Sequence, residues 1–152
     1  MSCYLNFYGV PCKPRENGDD EDLLPKAELD ETKKPICIVS FSRNSEIFQY
    51  FDENCSIHFC YNETKYTDIE ESDVDRVIGD INNDIRSSEK RLAEYEKYAG
   101  SNPDFIQDIL STKEYIEDLT RALHYAEFIG HIVRDASLAY SDGFGKIVAN
   151  MG

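Results

Sequence analysis

The cysteine and histidine residues around position 58 are the best candidates in this chain for metal binding or nucleophilic catalysis. Cys55, His58 and Cys60 lie close together, and Cys3 and Cys12 lie on or beside a predicted strand. Thiolates and imidazoles are ligands that Zn²⁺ prefers, but this spacing matches none of the common zinc motifs. On an extended segment Cys55 also points away from His58, which excludes a nucleophile–base pair. Because unpaired cysteines are commonly buried in sheets, we interpret them as structural and predict no bound metal.

A second possible metal pattern, His124, Glu127 and His131, lies along one flank of a predicted helix. Helical bundles bind metals through Glu and His residues three positions apart, but they need matching acids on other helices, and none is evident here. The run GFGK at 143–146 lacks the spacing and the following Ser or Thr of a phosphate-binding loop. The sequence therefore predicts a non-enzymatic protein without a cofactor.

Two long segments with a heptad pattern, one on each side of a short turn, make up most of the predicted secondary structure. They would position any functional site. Their apolar positions alternate steps of four and three, and this average spacing of about 3.5 residues keeps one stripe facing a partner helix. Facing residues of an antiparallel pair have numbers with a constant sum, and the sum is 204 in every layer. The sequence therefore predicts an antiparallel helical hairpin over 72–136. The seam residues are Val74, Ile78, Ile81, Ile85, Ser88, Leu92, Tyr95 and Ala99, then Phe105, Ile109, Thr112, Ile116, Leu119, Leu123, Ala126, Gly130 and Val133.

The ends of these helices carry the expected capping residues. Ser72 is a predicted N-cap with Asp75 three residues later, an acidic variant of the capping box. Gly100 suits the left-handed position that follows a helix. Asn102 is a predicted N-cap of the second helix, and Pro103 occupies its first position, where no amide donor is lost.

The remaining residues predict short strands, because they are rich in aromatic and β-branched side chains. One further short helix is expected at 45–51. An Asp-Gly pair in the tail indicates a second hairpin around 140–144. The predicted strands are 4–10 and 36–41, with a hairpin formed by 56–61 and 65–69.

Together these elements predict a single α+β domain over residues 1–152. A small antiparallel β-sheet packs against the base of the long antiparallel two-helix hairpin, which resembles a coiled coil. Residues 1–71 form a β-rich region with an acidic loop at 13–35, and residues 137–152 form a C-terminal tail or β-hairpin. With 41% hydrophobic residues, the chain has enough apolar material for one modest core.

Charge and composition narrow the classes of function. Thirty acidic against sixteen basic residues leave a formal net charge of −14. Phosphate neutralisation by Lys and Arg supplies most nucleic-acid affinity, so we expect no direct nucleic-acid binding. No stretch approaches the ~18 apolar residues of a membrane span, so no membrane association is expected. Five cysteines without a disulfide-framework spacing favour a cytoplasmic location.

The composition also resembles that of small proteins from AT-rich bacteria and their phages. The chain is rich in Ile, Asn, Asp, Glu, Lys and Tyr and contains no Trp. This resemblance concerns composition alone and transfers no site. It implies an accessory or structural role, in the host cytoplasm or the virion.

Two hypotheses about function follow. In the first, the protein is an interaction or assembly subunit, a homo-oligomer or a partner of another protein. The binding surface is then either Tyr125, Phe128 and Ile132, because the base of the second helix is apolar on nearly every side, or the projecting tip of the hairpin. In the second, the helix-borne carboxylates Asp73, Asp80 and Asp84 imitate nucleic-acid phosphates and block a basic groove on a nuclease or DNA-binding protein.

Overall fold

The computed structural model describes residues 3–13, 29–30, 32–137 and 143–152, and it confirms the predicted α+β architecture. A four-stranded antiparallel sheet carries helices on one face. The elements in chain order are β1 (Tyr4–Pro11), β2 (Ile36–Ser42), α1 (Glu46–Asn54), β3 (Thr67–Ile69), α2 (Glu71–Tyr98), α3 (Phe105–Ser137) and β4 (Phe144–Met151).

The strand order is β2-β1-β4-β3, so the last strand of the chain lies in the middle of the sheet. The predicted tail hairpin is therefore wrong for 144–151, which forms one strand between β1 and β3. Its proposed turn falls mainly on residues 138–142, which lie outside the described residues. A central strand can bury both faces, and this explains why five consecutive residues at 147–151 are buried.

The predicted hairpin of 56–61 with 65–69 is also wrong. Only Thr67–Ile69 forms a strand, and it pairs with β4. Phe59 makes an isolated parallel bridge to Met151 of the same β4 strand. The two segments therefore follow one another along one edge of β4 instead of pairing with each other.

The core lies between the sheet and all three helices. Leu5 and Phe7 point from β1 toward the helices and are fully buried. The ring of Phe51 on α1 meets Phe7 edge-on, with 5.0 Å between ring centroids. The predicted short helix is thus confirmed as α1, and its apolar side joins the hairpin to the sheet.

The hairpin has the predicted seam. Every predicted seam residue is buried or half-buried. The register also agrees, because a Cβ atom added to Gly130 would lie 3.3 Å from Cγ1 of Val74, its predicted facing residue. An ion pair of 3.0 Å between Arg134 and Glu71 joins the two helices at the base.

The start of α2 differs from the prediction. The N-cap is Glu70, and its partner in a reciprocal capping box is Asp73, so Ser72 lies inside the helix. The backbone N–H of Glu70 donates to the Asp73 carboxylate over 2.9 Å. The helix starts early because β3 ends at Ile69 and the chain turns at once. At α3, Asn102 accepts from a backbone N–H as predicted, and regular helix begins at Phe105.

The two ends of the hairpin are packed differently. Ile81 and Leu119 at the base are fully buried. Between Ser88 and Thr112, which are themselves buried, no residue of the hairpin is buried. We call 89–111 the hairpin tip. It extends about 15 Å beyond Ser88 at ~1.5 Å per residue, and its two helices contact each other rather than the sheet.

Candidate functional site

The predicted partner-binding residues of α3 lie on one stripe of the helix at its base. Tyr125 and Phe128 are 42% and 46% exposed, whereas Ile132 is half-buried and packs against the core. The Tyr125 ring also contacts Phe41 of β2, with 5.0 Å between centroids. We call Tyr125, Phe128 and Ile132 the α3 surface. It connects the exposed side of the helix with the β2 side of the sheet.

The periodicity of α3 explains this arrangement. Ala122, Ala126 and Ile129 are buried in the core that the hairpin shares with the sheet. The residues at 125, 128 and 132 fall on the remaining apolar stripe, which no described residue fully covers. The helix thus carries more apolar surface than its own chain buries.

The three predicted phosphate-mimicking acids all make intramolecular contacts. Asp73 completes the cap of α2 and also binds Arg76. Asp80 accepts a hydrogen bond of 2.9 Å from the Asn54 amide, and Asp84 accepts one from the Tyr50 hydroxyl. The carboxylates of Asp80 and Asp84 therefore contribute to holding α1 against α2, although both remain exposed on their other sides.

Asp84 also lines an acidic cavity that sequence reasoning missed. The cavity has a volume of about 240 Å³ and lies where α1, α2 and α3 meet. Among the described residues, no Lys or Arg lines it, and α1 itself carries no basic residue. The amphipathic pattern of α1 gave no indication of this site, because only tertiary packing brings its acids to the hairpin. The lining residues are Glu46, Gln49, Tyr50, Glu53, Asp84 and Tyr115.

The phenol of Tyr50 is the most strongly perturbed group of this cavity. Its side chain is only 8% exposed. Burial raises the pKa of Tyr50 far above its ordinary value, and the hydrogen bond to Asp84 raises it further. Ionisation would place a phenolate against a carboxylate in a partly dehydrated site. Tyr50 therefore acts as a hydrogen-bond donor that locks the floor of the cavity.

We expect the protein to lose stability as the pH rises above the ordinary tyrosine pKa of 10.0. The unfolded chain releases the Tyr50 proton there, whereas the folded state retains it. The free energy of unfolding should then fall by about 1.4 kcal/mol per pH unit for this group. Urea denaturation at neutral and alkaline pH measures this slope. Tyr50→Phe should make it shallower, and an unchanged slope in that variant would contradict the assignment.

The cysteines do not come together as a zinc site requires. Cys3 and Cys60 line one cavity of about 500 Å³, whereas Cys12 and Cys55 lie elsewhere. The Cys60 thiol exchanges hydrogen bonds with the backbone of Lys65. Burial, and then the Asp73 carboxylate, raise the pKa of Cys55 to about 11, so its thiol is not a ready ligand or nucleophile. Among the described residues, no group of three His, Cys, Asp or Glu could hold a metal ion.

The hairpin tip carries a second set of exposed apolar residues that sequence reasoning missed. Ile106 and Leu110, one helical turn apart on α3, are 54% and 56% exposed, and Tyr98 at the end of α2 is 51% exposed. These residues lie beside the seam rather than in it. The signal in the sequence is a pair of large apolar residues at positions that the heptad pattern leaves to solvent.

Comparisons with known proteins give no family to which this chain can be assigned. No protein-family model, no curated protein and no solved structure matches it. Across the parts of the chain that the structure describes, no helix has a stretch apolar enough to cross a bilayer.

Proposed function

We propose that this protein is a non-enzymatic interaction or assembly subunit that binds a second copy or another protein through the α3 surface. The observation that carries the proposal is the exposure of Tyr125 and Phe128 on the half of α3 that also forms the core. Contiguous exposed aromatic residues are typical of interaction surfaces, whose fully buried centres are rich in Tyr and Phe.

The neighbouring sheet edge extends this surface. In the described part of the chain, β2 pairs only with β1, so its other side offers unpaired backbone donors and acceptors. Ile36 of β2 is 54% exposed. Because Tyr125 packs on Phe41 of the same strand, the aromatic stripe and the open edge adjoin each other. Edges of this kind are templates for pairing with another chain.

Phe128→Asp should abolish self-association without unfolding the protein. Phe128 is nearly half exposed, so a carboxylate there can remain hydrated in the monomer but would be buried in an interface. Light scattering behind size exclusion should show an oligomer for the wild type and a monomer for the variant. Unchanged circular dichroism would confirm the fold.

Leu110→Asp is the matched control, because Leu110 is an exposed apolar residue of the same helix at the hairpin tip. If Leu110→Asp dissociates the oligomer and Phe128→Asp does not, the tip is the interface instead. A wild-type protein that stays monomeric at high concentration, with or without salt, would contradict self-assembly through the α3 surface.

The acidic cavity supports a second candidate function, inhibition of a basic nucleic-acid-binding protein. Glu46, Glu53 and Asp84 line one concavity, and no basic residue of the described parts of the chain lines it with them. A basic side chain of a partner would be attracted there. Reversing Asp73, Asp80 or Asp84 would also break intramolecular contacts, so Glu46 and Glu53 are the cleaner test.

Glu46→Lys with Glu53→Lys should abolish competition with DNA for a basic nuclease, while the fold is retained. The matched control, Glu89→Lys with Glu94→Lys, makes the same change in charge at exposed positions of the hairpin tip. Binding is measured by displacement of labelled DNA. If both pairs weaken competition equally, only net charge matters and the cavity is not the site.

A further inference from the structure

A second cavity lies on the face of the sheet opposite the helices, and its described lining carries more ammonium groups than carboxylates. It has a volume of about 500 Å³, within the size range of small-molecule sites. Among the described residues, the lining contains three ammonium groups, those of Lys33, Lys65 and Lys146, and one carboxylate, that of Asp68. In a chain of net charge −14, this is a local concentration of positive charge.

We call this the basic cavity. Its lysines form only long or exposed ion pairs with neighbouring carboxylates. Lys146 lies 3.0 Å from Asp68, Lys65 lies 3.7 Å from Glu63, and Lys33 lies 3.9 Å from Asp30. The lysine side chains are 41–60% exposed. Exposed ion pairs such as those of Lys65 and Lys146 contribute at most about 1 kcal/mol each, whereas Lys33 faces the buried carboxylate of Asp30. A multiply charged anion could therefore recruit the ammonium groups of Lys65 and Lys146 at little cost.

The carboxylates that most affect an anion in this cavity are the nearest ones, namely Asp68 in the lining and Glu63 and Asp30, the ion-pair partners of Lys65 and Lys33. At physiological ionic strength, interactions between exposed charges are largely screened beyond about 8 Å. An anion within the cavity responds mainly to these carboxylates and to the three ammonium groups, because the acids of α1 lie on the helical side of the sheet. The net charge of the chain therefore does not determine whether a phosphate group can bind in this cavity.

An aromatic ring and an apolar floor complete the cavity. Tyr66 lines it and meets Tyr8 of β1 edge-on, with 5.2 Å between ring centroids. The Tyr8 hydroxyl in turn donates to the Asn150 side chain over 3.3 Å, which fixes the ring that supports Tyr66. Val148 adds apolar surface beside Lys146 on β4. One part of the lining therefore suits an anion and another a planar apolar group.

We propose that the basic cavity binds a nucleoside phosphate, with its phosphate held by Lys65 and Lys146 and its base against Tyr66. Stacking of bases on aromatic side chains next to basic residues is the usual way in which proteins hold single-stranded nucleic acid without reading its sequence. The ligand is either a free nucleotide or one nucleotide of a single strand, because both present the same phosphate and ring. This site is independent of the α3 surface.

The test is a titration of isotope-labelled protein followed by amide NMR, with adenosine monophosphate, inorganic phosphate and a short oligothymidylate as probes. Adenosine monophosphate should give saturable shifts centred on 65–68 and 146–148. Lys65→Gln with Lys146→Gln should weaken its binding by about tenfold or more. Asp68→Asn should strengthen binding, because it removes a carboxylate from the lining.

Lys113→Gln is the matched control, since Lys113 forms a similarly weak ion pair, 3.9 Å from Glu96, on the hairpin. It should leave the affinity unchanged. Tyr66→Ala should weaken binding of adenosine monophosphate but not of inorganic phosphate. Tighter binding of the oligothymidylate than of the mononucleotide would identify a single strand as the source, and the reverse order a free nucleotide.

Three results would overturn the proposal. One is the absence of saturable shifts with adenosine monophosphate at millimolar concentration. Another is equal affinity in the wild type and the double lysine variant when circular dichroism shows that both are folded. The third is equal affinity for inorganic phosphate and adenosine monophosphate, with no effect of Tyr66→Ala. This result would show that the cavity binds phosphate alone and does not recognise the nucleoside.

Discussion

Leu119→Ala should lower the free energy of unfolding by about 3–4 kcal/mol, because it leaves a cavity that the surrounding side chains cannot fill. Leu119 is fully buried at the base of α3, where hairpin, α1 and sheet share one core. Small domains are stable by only about 5–15 kcal/mol, so the loss is a large fraction of the total. Thermal unfolding should shift down by about 10 °C, and urea denaturation measures the free energy directly.

Leu92→Ala is the control for this prediction. It removes the same atoms from a seam residue, but Leu92 lies in the hairpin tip and is only half-buried. We expect it to cost about 1 kcal/mol, since water or the neighbouring helix can occupy the space. Equal losses in the two variants would show that the tip is as tightly packed as the base. The tip would then be a rigid extension of the core rather than a separately stabilised projection.

Gly9→Ala should destabilise the protein by about 2 kcal/mol, although alanine is normally better tolerated than glycine in regular structure. The ring of Phe144 on β4 lies directly over Gly9 of β1, and an added Cβ would come within 2.2 Å of its Cγ atom. The ring must move as a whole, because the contact is at its attached end rather than at a flexible tip. Chemical denaturation of Gly9→Ala, of Phe144→Ala and of the variant that carries both substitutions measures the effect.

The combined variant identifies the cause. In a Phe144→Ala background no ring lies over Gly9, so Gly9→Ala should cost little there. The two changes would then be coupled by about 1–2 kcal/mol, as expected for residues in direct contact. If Gly9→Ala costs the same in both backgrounds, the destabilisation comes from the backbone of β1 and not from this contact.

The proposed sites lie on different elements of one fold and can be tested separately. The α3 surface is aromatic and adjoins the β2 edge, the acidic cavity lies among the three helices, and the basic cavity lies on the open face of the sheet. Phe128→Asp changes only the first, Glu46→Lys with Glu53→Lys the second, and the two lysine substitutions the third. A protein that assembles through α3 would keep the sheet face accessible to a small ligand.

The sequence by itself determined the hairpin, because the information that specifies it is local. A helix repeats every 3.6 residues, so residues a few positions apart define the buried stripe. The constant sum of residue numbers then sets the register, and the proximity of Gly130 to Val74 agrees with it. Capping at Asn102 was predictable for the same reason, since the cap and its amide lie two residues apart.

Only the tertiary structure decided the order of the strands and the composition of the cavities. β4 pairs with β1 across more than a hundred residues of chain, and nothing in the local sequence of 144–151 distinguishes a central strand from one arm of a hairpin. The basic cavity likewise collects Lys33, Lys65 and Lys146 from three separate segments. Periodicity reports which face of an element is buried, whereas strand pairing across the chain determines which distant side chains become neighbours.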